Sequence, residues 1–177
     1  MSKNVKPFVV KTDANISFIE PSNVTGSCSH RYPLTGTDES MLHVYTDIGY
    51  VLDSRINRER FFDALVNTLK NYPLFFSDLE FNDGWSFVLN VGYSKNQKYR
   101  CVEFQYQEID LEKNLLDPAS LYLENILDFY PKPGKDKNPL LKIRLTNFEN
   151  SSVIGTILCH ALSDGIGLYR FFFRSFQ

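Results

Sequence analysis

The chain is 177 residues long, 43% hydrophobic and 15% aromatic, with 15 phenylalanines. That is enough for one domain with a sizeable aromatic core, and too apolar for intrinsic disorder. A net charge of −2, with basic and acidic residues interspersed, excludes the strong positive field that nucleic acid or an anionic lipid surface would require.

Residues 1–40 are rich in Ser, Thr, Asn and Pro and read mostly as extended lead-in and loop. The first fifteen, MSKNVKPFVVKTDAN, carry only the apolar patch FVV, too short for a signal peptide or a membrane span. The sequons at Asn15, Asn23 and Asn150 then carry no message, and a soluble cytoplasmic protein is expected. Cys28, Cys101 and Cys159 are odd in number and widely spaced, without a C-x-x-C. This argues against a disulfide framework or a zinc site and fits a reducing compartment.

HVYTDIGYVLD, from His43 to Asp53, is β-branched and aromatic and predicts a strand. NRERFFDALVNTLKNYP follows. Its Phe61, Phe62, Leu65, Val66 and Leu69 recur at helical spacing, with Asn57 as N-cap and Pro73 beyond the end. FSDLEFNDGWSFVLNVG predicts a hairpin turning at Asp83-Gly84. YRCVEFQYQEID alternates Val102, Phe104 and Tyr106 against polar neighbours, the pattern of a half-buried strand. DPASLYLENILDFYP predicts a helix opening at Asp117-Pro118, and PKPGKDKNP a loop.

In PLLKIRLTNF, Leu141, Ile143 and Leu145 fall on one face and Lys142, Arg144 and Thr146 on the other. ENSS is a turn, so the next run pairs back as an antiparallel hairpin. That run, VIGTILC, is almost continuously apolar and reads as a central strand covered on both faces. The last helix begins near Asp164 or Gly165. Strands with interspersed helices, closing on an antiparallel pair, predict an α/β (α+β) domain: a mixed sheet with helices packed on it.

The residues able to do chemistry stand where that sheet ends. His160 follows the central strand, Asp164 comes four residues later, and Gly165 allows a tight backbone. A neutral imidazole takes a proton from a hydroxyl or an amine near neutral pH. Asp164 is placed to bond backbone N–H groups in the turn or to pair with an arginine. On spacing alone, H-x-x-x-D favours a structural histidine at a strand–helix corner over a catalytic one. Metal ligation by His160 and Asp164 lacks further ligands, because His30 and His43 are remote in sequence. Cys159 is adjacent to His160 on a strand, so the two side chains point to opposite faces and make no catalytic pair; Cys159 reads as a small buried hydrophobe. No Walker-type glycine loop and no G-x-S-x-G elbow is present.

PLLKIRLTNFENSSVIGTILCHALSDGIGLYRFFFRSF resembles the stretch around the H-x-x-x-D-G motif of the CoA-dependent acyltransferase superfamily, above all its BAHD-like and fungal alcohol or amine acyltransferase branch. The loop PLTGTDESM, the strand VYTDIGYVLD and a helix ending LKNYP follow the same order, so the resemblance runs from about Tyr32 to the end. It implies a chloramphenicol-acetyltransferase-like domain over residues 1–177. It also implies an acyl group passed from acyl-CoA, a co-substrate and not a resident cofactor, to a small-molecule alcohol or amine. His160 would be the catalytic base. Asp164 would hold the loop through an arginine, and Gly165 would complete the motif. Many relatives have a second histidine where this chain has Cys159.

The BAHD-like pattern continues into a second domain with a D-F-G-W-G motif, and that motif is not in this sequence. Three arrangements follow. The chain is a truncated or split N-terminal half, or one half of a longer chain, or it completes its site as a homotrimer in the manner of chloramphenicol acetyltransferase. The N-terminal features rank truncation first. A catalytically inactive remnant or interaction domain that keeps the fold is the rival reading. Without a facing wall, weak or absent activity is expected of the monomer, because water would reach the thioester.

Overall fold

In the computed structural model, residues 8–13, 16–21, 30–42, 44–82, 86–91, 101–109 and 139–175 are described. A six-stranded sheet runs in the order β1 (Phe8–Asp13), β2 (Ile16–Pro21), β7 (Val102–Glu108), β8 (Leu141–Asn147), β9 (Ser152–Cys159), β4 (Tyr45–Leu52). β7 and β8 are parallel and every other neighbour is antiparallel, so the sheet is mixed. A smaller sheet places β6 (Ser86–Val91) between β3 (His30–Pro33) and β5 (Ser77–Asn82). The helices are α1 (Gly36–Ser40), α2 (Arg58–Leu69) and α3 (Gly165–Ser175), with a 3-10 turn at Pro73–Phe75.

α2 forms where its apolar spacing predicts it. Asn57 caps it by accepting from Arg60 N at 2.9 Å, and Phe61, Leu65 and Leu69 make its buried stripe. Each of these side chains stabilises the fold by about 2 kcal/mol through removal from water. They pack on the sheet face formed by Val102 and Phe104 of β7, Leu141, Ile143 and Leu145 of β8, and Ile154 and Leu158 of β9. The layer is aromatic. Phe62 meets Phe104 at 5.3 Å between ring centroids, and Phe171 of α3 stands edge-on to Phe75 at 4.9 Å. These separations lie in the favourable range for ring pairs.

β9 is the central strand expected of its apolar run: all eight residues are buried, between β8 and β4. β7, expected to be half-buried, and its neighbour β8 carry polar side chains inside. Arg144 is 8% and Glu103 7% exposed, and Thr146 is fully buried. The register explains how polar side chains lie inside. Three alternate rungs of the parallel pair, all on one face, join side chain to side chain: Lys142 Nζ to Glu103 Oε2 at 3.5 Å, Arg144 Nε to Gln105 Oε1 at 2.9 Å, and Gln107 Nε2 to Thr146 Oγ1 at 2.9 Å. Buried polar groups are tolerated when they are bonded to one another.

Two other expectations change. The lead-in contributes a β1–β2 hairpin to the main sheet and β3 to the smaller one, and PLTGTDESM contains α1, closed by a capping box between Thr35 and Asp38. The hairpin around Asp83-Gly84 forms, as β5 and β6, but in the smaller sheet; its turn lies outside the described residues. The helix expected over 117–130 and the loop after it also lie outside them, as do His43, Cys28 and the sequons at Asn15 and Asn23.

Candidate active site

His160 is the first residue beyond β9 and is half-buried. Its backbone N–H donates to Val44 O at 2.8 Å, which continues the β4–β9 ladder by one rung and fixes the residue at the sheet end. Its imidazole has no hydrogen-bond partner among the described residues. Behind it, Leu162 N bonds Cys159 O at 3.0 Å, closing a turn whose Leu162 is anchored in the core.

Asp164 ends that turn and starts α3. Its Oδ1 accepts from Gly167 N at 2.7 Å and its main-chain oxygen accepts from Leu168 N at 3.1 Å, the bonds of an N-cap residue. A cap aspartate also sits favourably at the positive end of the helix dipole. Among the described residues no arginine forms an ion pair with it. The carboxylate therefore holds the turn through backbone. Gly165 is the first helical residue.

Gly167 follows two residues later, near the start of α3. The structure gives it a steric reason: a Cβ there would stand 2.0 Å from Ser163 Oγ and 3.3 Å from Asp164 Oδ1. The space a side chain would fill is taken by the two residues that form the turn. An aspartate three residues before a glycine at a helix start was the available signal.

Cys159 is 1% exposed, and its Sγ lies 3.7 Å from Leu42 O. Burial pushes its thiol pKa up, which disfavours the thiolate a nucleophile needs. Tyr45 is the cross-strand neighbour of Cys159, and its hydroxyl is also pushed up, first by burial and then by Cys159. Among the described residues, no three His, Cys, Asp or Glu side chains gather as metal ligands, and no helix is long and apolar enough to cross a membrane.

The other end of β9 holds a network that sequence reading missed. Ile56 N donates to Ser152 Oγ at 2.8 Å, and Ser152 Oγ donates to Asn147 Oδ1 at 2.7 Å. Asn147 Nδ2 returns to Ile56 O at 2.8 Å and reaches Tyr106 Oη at 3.3 Å. Tyr106 Oη also bonds Glu108, which pairs with Arg55, and Arg58 lies over the Tyr106 ring at 4.8 Å. This cluster ties the loop before α2 to the sheet.

No protein-family model matches the chain, and no curated protein is similar to it in sequence. Solved structures share its fold. The starter condensation domain of rhizomide synthetase superposes with a TM-score of 0.63 at 14% identity, covering 83% of this chain and 38% of that one. The first condensation domain of the calcium-dependent antibiotic synthetase, in complex with a substrate analogue, gives 0.66 at 14%, covering 83% and 36%. A variant of the rhizomide domain in complex with C8-CoA gives 0.61 at 15%, covering 82% and 34%. The chain therefore has the fold of condensation domains, which is CoA-acyltransferase-like. It spans between 34 and 38% of the length of these structures.

Proposed function

We propose that this chain carries the base-bearing part of an acyl-CoA-dependent O- or N-acyltransferase of the BAHD-like kind, with His160 as general base. The observation that carries the reading is the position of His160: a half-buried imidazole at the end of the central strand, fixed through its backbone to Val44 and followed by a turn capped by Asp164. Ends of central strands are where sheets of this class place ligands. The C8-CoA complex of a protein of the same fold supports a thioester donor.

In the proposed reaction the neutral imidazole takes the proton of an acceptor hydroxyl or amine as its oxygen or nitrogen attacks the thioester carbonyl. The tetrahedral adduct then collapses, the carbon–sulfur bond breaks, and the departing CoA thiolate takes the proton back from the imidazolium. Asp164 and Gly165 act through the backbone. They keep the turn in shape and leave the imidazole to the substrate.

The test is release of free CoA from acyl-CoA in the presence of alcohol or amine acceptors, compared between wild type and His160→Ala. General-base removal lowers the rate by 100-fold or more, while the half-buried position leaves the thermal midpoint nearly unchanged. Equal rates in the two proteins would sink the catalytic reading. They would favour a non-catalytic interaction domain of the same fold.

A further inference from the structure

The segment from Cys159 to Asp164 carries the chain from the end of β9 to the cap of α3, and it is pinned on both sides. Leu162 N–H bonds Cys159 O at 3.0 Å, which closes a loop with His160 inside it. Leu162 is 8% exposed and Leu168, one turn into α3, is fully buried; both belong to the same core cluster. Ser163 lies between these anchors. Its Oγ donates to Asp164 O at 3.3 Å, the oxygen that also accepts from Leu168 N at 3.1 Å. The hydroxyl is thus held against the start of the helix.

That hydroxyl occupies the space a side chain at 167 would need. A Cβ on Gly167 would stand 2.0 Å from Ser163 Oγ and 3.4 Å from Ser163 Cβ. Non-bonded heavy atoms pack best at about 3.5 to 4.0 Å, so the first contact is a deep overlap and the second is close to ordinary. By intrinsic propensity alanine is the better residue inside a helix, and glycine stands here against that preference. A side chain at 167 would have two outlets. Rotating Ser163 Oγ away gives up its bond to Asp164 O. Moving Ser163 presses on Leu162, whose N–H bond runs to the strand residue next to His160. Close-packed surroundings pass such a displacement on instead of absorbing it.

We propose that Gly167 is a positioning residue for His160, acting through Ser163. The bare backbone at 167 lets Ser163 seat against α3, and this seating fixes the loop in which the imidazole stands. The effect on rate rests on the proposed function, with His160 as general base; the effect on the surroundings of the imidazole does not. A reacting group misplaced by about 1 Å loses about 100-fold in rate, so the lesser shift forced by one methyl group is expected to cost about tenfold.

Two readouts on the full chain test the coupling: kcat for CoA release, and the NMR resonance of the His160 ring, identified by its loss in His160→Ala. They are compared in wild type, Gly167→Ala, Ser163→Ala and the double variant. Gly167→Ala is expected to move the ring resonance and to lower kcat about tenfold, with KM within about twofold of wild type. Ser163→Ala removes the overlapping oxygen, so adding it to Gly167→Ala is expected to return both readouts close to those of Ser163→Ala alone, a non-additive pair. Ser163→Cys puts a larger atom into the same space with Gly167 kept, and serves if Gly167→Ala does not fold; it is expected to move the resonance the same way. A merely structural glycine would change the thermal midpoint and leave the ring resonance of the folded protein in place, which would overturn the proposal. So would a double variant no closer to Ser163→Ala than Gly167→Ala is. Should wild type and His160→Ala release CoA equally, the general-base reading falls, and the resonance alone still decides the coupling.

Discussion

At its Ser152 end, β9 is held by a closed set of side-chain bonds: Ile56, Ser152, Asn147 and Tyr106 satisfy one another, with Asn147 2% exposed and Ser152 fully buried. At its His160 end, the bonds among the described residues each have a backbone group as donor or acceptor, among them His160 N–H to Val44 O, Leu162 N–H to Cys159 O and Gly167 N–H to the Asp164 carboxylate. One strand thus has an end whose polar side chains are bonded to one another and an end whose imidazole has no hydrogen-bond partner among the described residues. The contrast sets a bonded end against the end that carries the proposed chemistry: the first should govern whether the chain folds, and the second, on the proposed function, what it does.

Three comparisons of variants would break or sharpen that contrast. The largest effect on folding is expected from Asn147→Ala, which strips partners from Ser152 Oγ and Ile56 O inside the protein. Leaving such groups unmet costs about 2 to 3 kcal/mol, read as a lower urea midpoint. His160→Ala should move that midpoint by less than about 0.5 kcal/mol, as for a side chain outside any bonded network. If the two variants were equally destabilised, the ends of β9 would not differ as described.

Next comes the cap. Asp164→Ala should cost about 1 kcal/mol, and Asp164→Asn only a fraction of that, because an amide oxygen still accepts from Gly167 N–H. Equal losses in alanine and asparagine would mean that the aspartate's charge matters beyond the hydrogen bond.

The smallest effect is a pH dependence at the Ser152 end. The Tyr106 hydroxyl and then Arg55 hold the Glu108 carboxyl below the usual carboxylate range. A group depressed in the folded protein contributes stability above its unfolded pKa of about 4.3, and that contribution is lost as pH falls through the lower folded value. Thermal midpoints taken between pH 6 and pH 3 should therefore fall less steeply in Glu108→Gln than in wild type. Glu108 is exposed, so the difference should shrink further in high salt.

The elements that sequence showed best were those whose pattern and burial agree. α2 could be read from Phe61, Leu65 and Leu69 with Asn57 as cap, and β9 from its unbroken apolar run. The β8–β9 hairpin followed from the short turn between them. β1 and β2 were hidden because a Ser- and Asn-rich composition resembles loop, and their strand character comes from pairing, β1 with β2 and β2 with β7. The buried side of β7 and β8 was hidden for a related reason. Lys142, Arg144 and Glu103 look solvated until the register shows that they face one another. At the site, His160, Asp164 and Gly165 stood out by spacing. Val44 could not, since its part is a carbonyl oxygen, and Asn147 and Ser152 are distant in sequence from the Ile56 they hold.

The bonded rungs between β7 and β8 also bear on how the chain finds its fold. A slip of two residues would leave Leu141, Ile143 and Leu145 facing inward, so hydrophobicity alone does not choose between such arrangements. Either slip would remove Glu103 from Lys142, whose side chain is only 12% exposed. Burying that ammonium without its carboxylate is costly. These two strands join regions far apart in the chain, and such contacts form slowly. The polar rungs would act as a proofreading step in folding, rejecting wrong alignments that the oily face would accept.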